Sequence, residues 1–397
     1  MQQTLRFEKE IPVTGSYDVV VAGGGIAGIA AALAAARNGA KKVLLLEKQY
    51  VLGGLATLGL IAIYLPLCDG KGRQVSFGIC EELCRLSIKH GSEFPLPQAW
   101  LQNLSDAEKR KHRFQVTYNP NMFAILAEQL LRENGVEILF GTGVLDVCVH
   151  QSKIDALIVE NKSGIFAIRA ASVVDATGDA DICHFAGENT AVFKQGNILA
   201  SWYYFMGDGK INLKMLGYSD TPDKYKTPEQ KNTQQQRRYI GLDGRELSEM
   251  VSDAHDSLLQ DFLNNGDITP QRSLTAIAAI PQVRMTRRLD GVYVQDDTEA
   301  FVQYPDSIGM ISDWRKPGPV YEIPFRTLYG KTIKNLIAAG RCISVTDPMW
   351  DISRVIPPCA VTGEAAGTAA AMTNDFATLE VSQLQAVLQR NGVMLHL

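Results

Sequence analysis

The stretch SYDVVVAGGGIAGIAAALAAARNGAKKVLLLEK, residues 16–48, constrains this chain more than any other. An apolar, β-branched run enters three consecutive glycines, an alanine-rich segment follows, and a second apolar run ends on Glu47. Gly23, Gly25 and Gly28 fall on G-x-G-x-x-G at a strand-to-helix junction. Each glycine has its own physical reason. Gly23 permits the tight turn, Gly25 lets the backbone approach a pyrophosphate, and Gly28 lets the helix pack closely on the sheet. The first helical turn, with Ile26 and Ala27, offers free N–H groups and the positive end of the helix dipole to phosphates. Glu47, followed by Lys48, stands where a carboxylate accepts from ribose hydroxyls, and it would repel a 2′-phosphate, which disfavours NADP. The bland alternative is a tight βα turn that needed glycine only for packing.

At 397 residues and 46% apolar composition the chain is long enough for a sizeable core in one large or two to three ordinary domains. A formal charge of −4 gives no basic footprint for nucleic acid. The N-terminus MQQTLRFEKEIPVTG lacks the basic and apolar regions of a secretory signal, so the expected location is cytoplasmic. Seven cysteines, at 68, 80, 84, 148, 183, 342 and 359, include no CxxC; neither a disulfide framework nor a metal ligand set is expected, and most should be reduced, buried thiols. The uncharged stretch Val51–Cys68 is long enough to suggest a membrane span, but Gly53, Gly54, Gly59 and Pro66 favour a loop with short apolar elements buried beside a ligand.

Further along, residues 69–118 read as an insertion rather than sheet, with an amphipathic stretch over 79–88. NPNMFAILAEQLLRENG predicts a helix with cap candidates Asn119 and Asn121 and a stop at Gly135, and VEILF a buried strand. Segments 144–149, 154–159 and 165–169 alternate as a small antiparallel meander, and SVVDATGDAD reads as a further strand that ends at Asp175. Residues 207–238 read as a polar surface excursion or lid, a helix is expected over 246–264, and the segments around SLTAIAAIPQVRMTRRLDG and YEIPFRTLYG suggest a second, mixed domain. The expected fold class is α/β: a Rossmann-like parallel sheet with a small antiparallel meander, plus a mixed α+β substrate domain.

Several separated motifs together resemble the glutathione-reductase-like FAD fold, in particular the broad FAD-dependent oxidoreductase family related to fumarate reductase-type flavoproteins. They are the opening βαβ unit, KQYVLGGLAT after Glu47, VVDATGDAD, and NLIAAGRCIS…SRVIPPCAVTGEAAGTAAA. The resemblance implies FAD as cofactor. It places Gly53, Gly54, Ala56 and Thr57 along pyrophosphate and flavin, and Val144, Ala176, Thr177, Gly178 and Asp181 near the returning strand. Gly340 and Arg341 would lie near the ribityl and phosphate chain, and a helix starting around 357–362, with Ala360 and Val361, would aim N–H groups at the flavin pyrimidine edge. The implied domain plan is a discontinuous FAD-binding domain of residues 1–65, 116–206 and 331–397 and a substrate or cap domain of 66–115 and 207–330. The implied activity is hydride exchange between flavin N5 and a small, anionic organic substrate. The alternatives are an NAD-dependent dehydrogenase, or a non-catalytic FAD-binding or electron-transfer subunit. Some relatives carry iron–sulfur clusters, whose ligands are not evident here; an electron-transfer partner stays open.

Since a flavin supplies the redox chemistry, the chain must supply a pocket, a charge anchor and a proton donor or acceptor. Arg284, Arg287, Arg288 and Arg354 are the anchor candidates, because a guanidinium fork binds a carboxylate through two hydrogen bonds; a structural ion pair is the competing reading for each. Asp347, Asp351 and Cys359 lie beside the expected flavin-facing helix, as base candidates and a thiol of lowered pKa at a helix start, against the readings of a cap and a buried thiol. Tyr304 and Tyr321 either donate protons or pack. His184 is expected to pack behind the cofactor strand, Asp347 stands where relatives carry a His, and nothing specific supports covalent flavin attachment at Cys68.

Overall fold

The computed structural model describes residues 4–217 and 236–397. Its centre is a seven-stranded sheet of β1 (Val13–Ala22), β2 (Val43–Leu46), β3 (Glu137–Leu139), β4 (Gly143–His150), β5 (Lys153–Asn161), β6 (Gly164–Asp175) and β7 (Leu336–Ala338). The order is β3-β2-β1-β6-β5-β4, with β7 paired to the end of β6. Strands β3, β2, β1, β6 and β7 run parallel, and β4-β5-β6 form the antiparallel meander. One expectation is corrected here: 165–169 and SVVD are not two strands but the single twelve-residue β6. Its first half pairs with β5 and its last three residues with β7, while β1 templates it from Ala167 to Asp175.

The apolar runs of β1 and β2 are continuous because both faces of the sheet are covered. Val19, Val21, Val43 and Leu45 join a large core with the helices; Val20, Ala22, Leu44 and Leu46 join a second core under the meander. The helices used below are α1 (Ile26–Arg37), α2 (Ile79–Ser87), α3 (Pro120–Glu133), α4 (Gly244–Asn264), α5 (Asp347–Ser353) and α6 (Ile356–Met372). Of the two cap candidates, Asn119 caps α3, its side-chain oxygen accepting from the N–H groups of Asn121 and Met122; Asn121 lies inside the helix. Helix α6 presses on α1 because Gly363 and Gly367 lack side chains: a Cβ there would lie 2.3 Å from the Ala27 carbonyl oxygen and 2.0 Å from that of Ala31.

A separate antiparallel sheet is built from Tyr203–Gly207, Lys210–Lys214 and Arg272–Ile277, with Tyr203 packed on Leu258 and Phe262 of α4. The first two strands correct the reading of 207–238 as one polar excursion. Asp208 and Gly209, at φ 51° and 72°, make the two-residue turn of a hairpin, a signal that the Asp-Gly pair carried in the sequence. Residues 218–235 of that excursion lie outside the described residues. Within 69–118, read as free of sheet, Val116–Thr117 pairs with Ile63–Tyr64. No helix among the described residues is long and apolar enough to cross a membrane; Val51–Cys68 forms a short helical turn at Gly54–Ala56 and the strand Ile63–Tyr64.

Candidate cofactor and substrate site

The glycine turn sits where β1 ends against β2 and β6. Gly23 has φ 104°, donates its N–H to the Leu46 carbonyl at 2.8 Å, and would place a Cβ 2.4 Å from the Ala176 carbonyl oxygen. At Gly28 a Cβ would lie 1.8 Å from the Gly23 carbonyl oxygen, so this glycine makes room for the turn itself. Gly25 is different: its φ is −69°, open to any residue, and a Cβ there would meet nothing within 4 Å. Neither backbone strain nor packing within the chain accounts for a glycine at 25. Room for a ligand to approach the backbone at the start of α1 would account for it, and the open cradle fits the pyrophosphate of a dinucleotide.

Glu47 is buried at the end of β2, with one carboxylate oxygen accepting from the Gly24 N–H at 2.8 Å and the other from the Gln49 N–H at 2.7 Å. Each oxygen keeps further acceptor capacity. The Gly53 N–H donates to the Gly24 carbonyl at 2.8 Å, which brings the Gly53–Gly54 loop onto the cradle. Thr57 is buried and its hydroxyl donates to the Leu52 carbonyl at 2.6 Å, while the Ala56 carbonyl accepts from the Tyr118 hydroxyl at 2.9 Å. Val144 is half-buried two residues past Thr142, whose N–H donates to the Glu47 carbonyl at 3.0 Å; Lys48 is exposed.

The returning turn is organised by Asp175, whose carboxylate accepts from the Thr177 hydroxyl at 2.7 Å and from the N–H of Cys183 at 2.9 Å. Gly178 and Asp179 are stapled by Arg341. Its Nε donates to the Gly178 carbonyl, Nη1 to the Val283 carbonyl and Nη2 to the Asp179 carboxylate, each at 2.7 Å. Arg341, expected along the ribityl chain, thus spends three of its five N–H donors on protein and keeps one on each Nη. Asp181 pairs with Arg287 at 2.6 Å. Burial pushes its carboxyl up to about 6, with Asp179 and Asp175 adding to the rise and Arg287 opposing it.

Around the last helix the N–H expectation is also corrected. Val355 caps α6, and Pro357 and Pro358 in its first turn carry no N–H; the N–H of Cys359 already bonds to the Val355 carbonyl, and Ala360 and Val361 are buried within the helix. Ile356, just before the expected 357–362, is left as the helical donor of the first turn. Gly340, at φ 82°, donates its N–H to the Thr362 hydroxyl at 2.9 Å and would push a Cβ to 2.7 Å from that of Ala27, so this turn and the starts of α1 and α6 converge.

Cys359 does not have the lowered pKa expected at a helix start: burial pushes its thiol up to about 12, against the opposing pull of Arg341 and Arg354. Arg354 pairs with fully buried Asp351 at 2.6 Å, and Asp351 also faces Arg315 at 3.5 Å, which in turn binds Asp313 at 2.9 Å. Two cations and two buried carboxylates balance: Arg354 makes the structural ion pair that is its competing reading, and Asp351, for which a cap is the alternative, is its partner. Arg288 is different. It is buried, and like that of Arg354 its Nε has no hydrogen-bond partner among the described residues; what sets it apart is its counter-ion. It lies 5.3 Å from the Trp350 ring, and the carboxylate it faces is Asp347 at 3.5 Å, with 41% of that side chain exposed. Desolvation lowers the Arg288 pKa and Asp347 opposes the shift.

The Tyr321 hydroxyl donates to the Asp297 carbonyl, and that of Tyr304 meets Tyr293 at 3.2 Å; burial raises both phenols. His184, expected behind the cofactor strand, is exposed. Cys68 is buried, with its Sγ accepting from the Phe114 N–H, and all seven cysteines are free. Two residues escaped sequence reasoning. Gln282 bridges the Trp202 N–H and the Gly59 carbonyl, and the Trp350 indole N–H donates to the Arg341 carbonyl. Neither sits in a motif, so no local signal marked them.

The chain belongs to the FAD dependent oxidoreductase family, whose sequence model matches residues 18–200 and 204–388. Its cofactor is FAD, which sets the nicotinamide alternative aside. No curated protein matches significantly. Solved structures with a similar course include a geranylgeranyl bacteriochlorophyll reductase-like protein from Thermoplasma acidophilum, 14% identical over 95% of this chain and 84% of that one, with a TM-score of 0.48. A p-nitrophenol 4-monooxygenase from Pseudomonas putida is 13% identical over 96% and 81%, with a TM-score of 0.45. A flavocytochrome c3 fumarate reductase is 14% identical over 91% and 79%, with a TM-score of 0.40. At these identities and scores the likenesses carry no weight beyond the family match.

Proposed function

We propose that the protein exchanges a hydride between FAD and a small anionic organic substrate, with Arg288 as the anchor for the anionic group. Residues 1–65, 116–206 and 331–397 would form the FAD-binding part, and 66–115 and 207–330 the part that covers the substrate. The bound flavin supplies the two-electron chemistry. The chain supplies position and charge: the open backbone at Gly25 receives the pyrophosphate, Glu47 accepts from ribose hydroxyls, and Gly53, Gly54 and the Ala176–Gly178 turn border the cofactor. The observation that carries the substrate reading is Arg288, a buried guanidinium with an unpartnered Nε and a loosely held, half-exposed counter-ion. A carboxylate that displaces Asp347 would gain a charge-assisted pair beside the buried Trp350 ring. Asp347, released, would be the carboxylate at hand to take a proton.

The purified protein should show flavin absorption bands and bleach anaerobically with one class among hydroxy acids, dicarboxylates and amino acids. Arg288→Gln should weaken that substrate roughly 10- to 100-fold, in line with the ~1.5–3 kcal/mol of hydrogen bonds to a charged group, and leave flavin content unchanged. A colourless protein that takes up no FAD would refute the cofactor assignment. Bleaching by neutral substrates with equal ease, or an unaltered Arg288→Gln, would refute the anchor. Reduction by a protein donor alone would favour an electron-transfer subunit.

A further inference from the structure

At the other end of α1, about 17 Å from its cofactor-facing start at a rise of ~1.5 Å per residue, lies a second cleft. Its volume is about 660 Å³, and its walls include Arg37, Asn38, Ile79, Glu82, Glu364 and Asn391. The charges on its rim are paired: Arg37 meets Glu82 at 2.6 Å and Arg85 meets Glu81 at 2.7 Å. Glu364, midway along α6, is the exception. It is 1% exposed; one oxygen accepts from the Ile79 N–H at the start of α2 at 2.8 Å, and the other, Oε1, has no partner among the described residues. The chain makes room for this carboxyl, since a Cβ on Gly78 would lie 2.5 Å from its Oε2. A buried polar atom with no partner costs about 1–3 kcal/mol, so a site that keeps one calls for a partner from outside the fold.

We propose that this cleft binds a protonated primary amine, with the ammonium group seated on Glu364. The two arginines and two rim glutamates cancel, so the carboxylate that Glu364 becomes on losing its proton has no counter-ion of its own there, and a monocation is its complement. An ammonium group brings three N–H donors to Oε1, which no donor of the described residues meets, once the acid has given up its proton. In the free protein burial holds the Glu364 carboxyl up near 8, with Glu82 adding to the rise and the Ile79 N–H and Arg37 opposing it. At neutral pH the acid is therefore protonated, and on amine binding its proton passes to the buffer as the ammonium–carboxylate pair forms.

Isothermal titration calorimetry of the FAD-loaded full chain with ethylammonium chloride at pH 7, against sodium chloride of equal ionic strength, tests this. A single site is expected, with proton release approaching one per amine when buffers of different ionisation heat are compared. Tetramethylammonium, which has no N–H, should not bind. Glu364→Gln, which keeps the acceptor for Ile79, should weaken the amine at least tenfold with unchanged flavin absorbance. The proposal fails if ethylammonium gives no saturable heat, if tetramethylammonium binds as well, or if Glu364→Gln binds equally. Should that variant not fold, proton release and the tetramethylammonium contrast in the wild-type protein decide the matter.

Discussion

Among the three fingerprint glycines, only Gly25 has empty space where a side chain would be, and this separates binding from folding at the level of single residues. Gly25→Ala should melt like the wild type without cofactor, because neither φ nor contact opposes the methyl, yet retain FAD poorly. Gly28→Ala should lose at least about 1–3 kcal/mol even without cofactor, since the methyl would run into the Gly23 carbonyl. Thermal melts of apo and FAD-loaded variants check both; equal behaviour of the two would contradict the distinction. The cysteines offer another contrast. Cys148 is exposed, whereas Cys359 is held protonated by burial. Iodoacetamide at pH 8 followed by mass spectrometry should therefore label Cys148 first and leave Cys359 unmodified.

At the scale of elements, the site depends on two helices brought into backbone contact. Helix α1 is alanine-rich and α6 places Gly363 and Gly367 one turn apart, so the pair approaches closely and holds the Gly340 turn against Ala27. Gly367→Ala would drive a methyl to 2.0 Å from the Ala31 carbonyl oxygen. We expect a loss of about 1–3 kcal/mol in urea unfolding, with weaker FAD retention although residue 367 lies far along the helix from the cradle. A variant with wild-type stability would show that α6 can shift away from α1 at no cost. The same spacing explains why TGEAAGTAAA was legible as a motif. Its small residues serve helix packing, and the donor role expected at its start is curtailed by the two prolines.

For the whole molecule, Glu364 links stability to pH by tying α6 to the start of α2. Its carboxyl titrates near 8 in the folded state against an ordinary value of 4.5, so between these values the native state holds a proton that the unfolded chain has released. Unfolding then releases a proton, and this group makes stability fall as pH rises from about 4.5 to 8. Urea unfolding of the wild type and Glu364→Gln at pH 5 and pH 8 should show a smaller decline in the variant. An identical decline would place the titration elsewhere.

What the sequence by itself determined is local and periodic: the βαβ unit with its glycines, the meander, α2, α3 and α4, and the motifs that carry the family. Each was legible because its signal lies within a window of neighbours, such as apolar alternation, helical spacing, a cap or a Gly-rich turn. The continuity of β6 was hidden because its two halves have different partners, β5 and β7, and only the paired sheet shows that they are one strand. Which arginine stays available was equally illegible. Arg288, Arg341 and Arg354 are equivalent in sequence, and their fates follow from carboxylates and carbonyls distant along the chain, since charge compensation is a property of space rather than order. The tertiary structure alone tied Arg341 to carbonyls and Asp179, gave Arg354 a fully buried counter-ion and Arg288 a half-exposed one, and left Oε1 of Glu364 without a partner beside a second cleft.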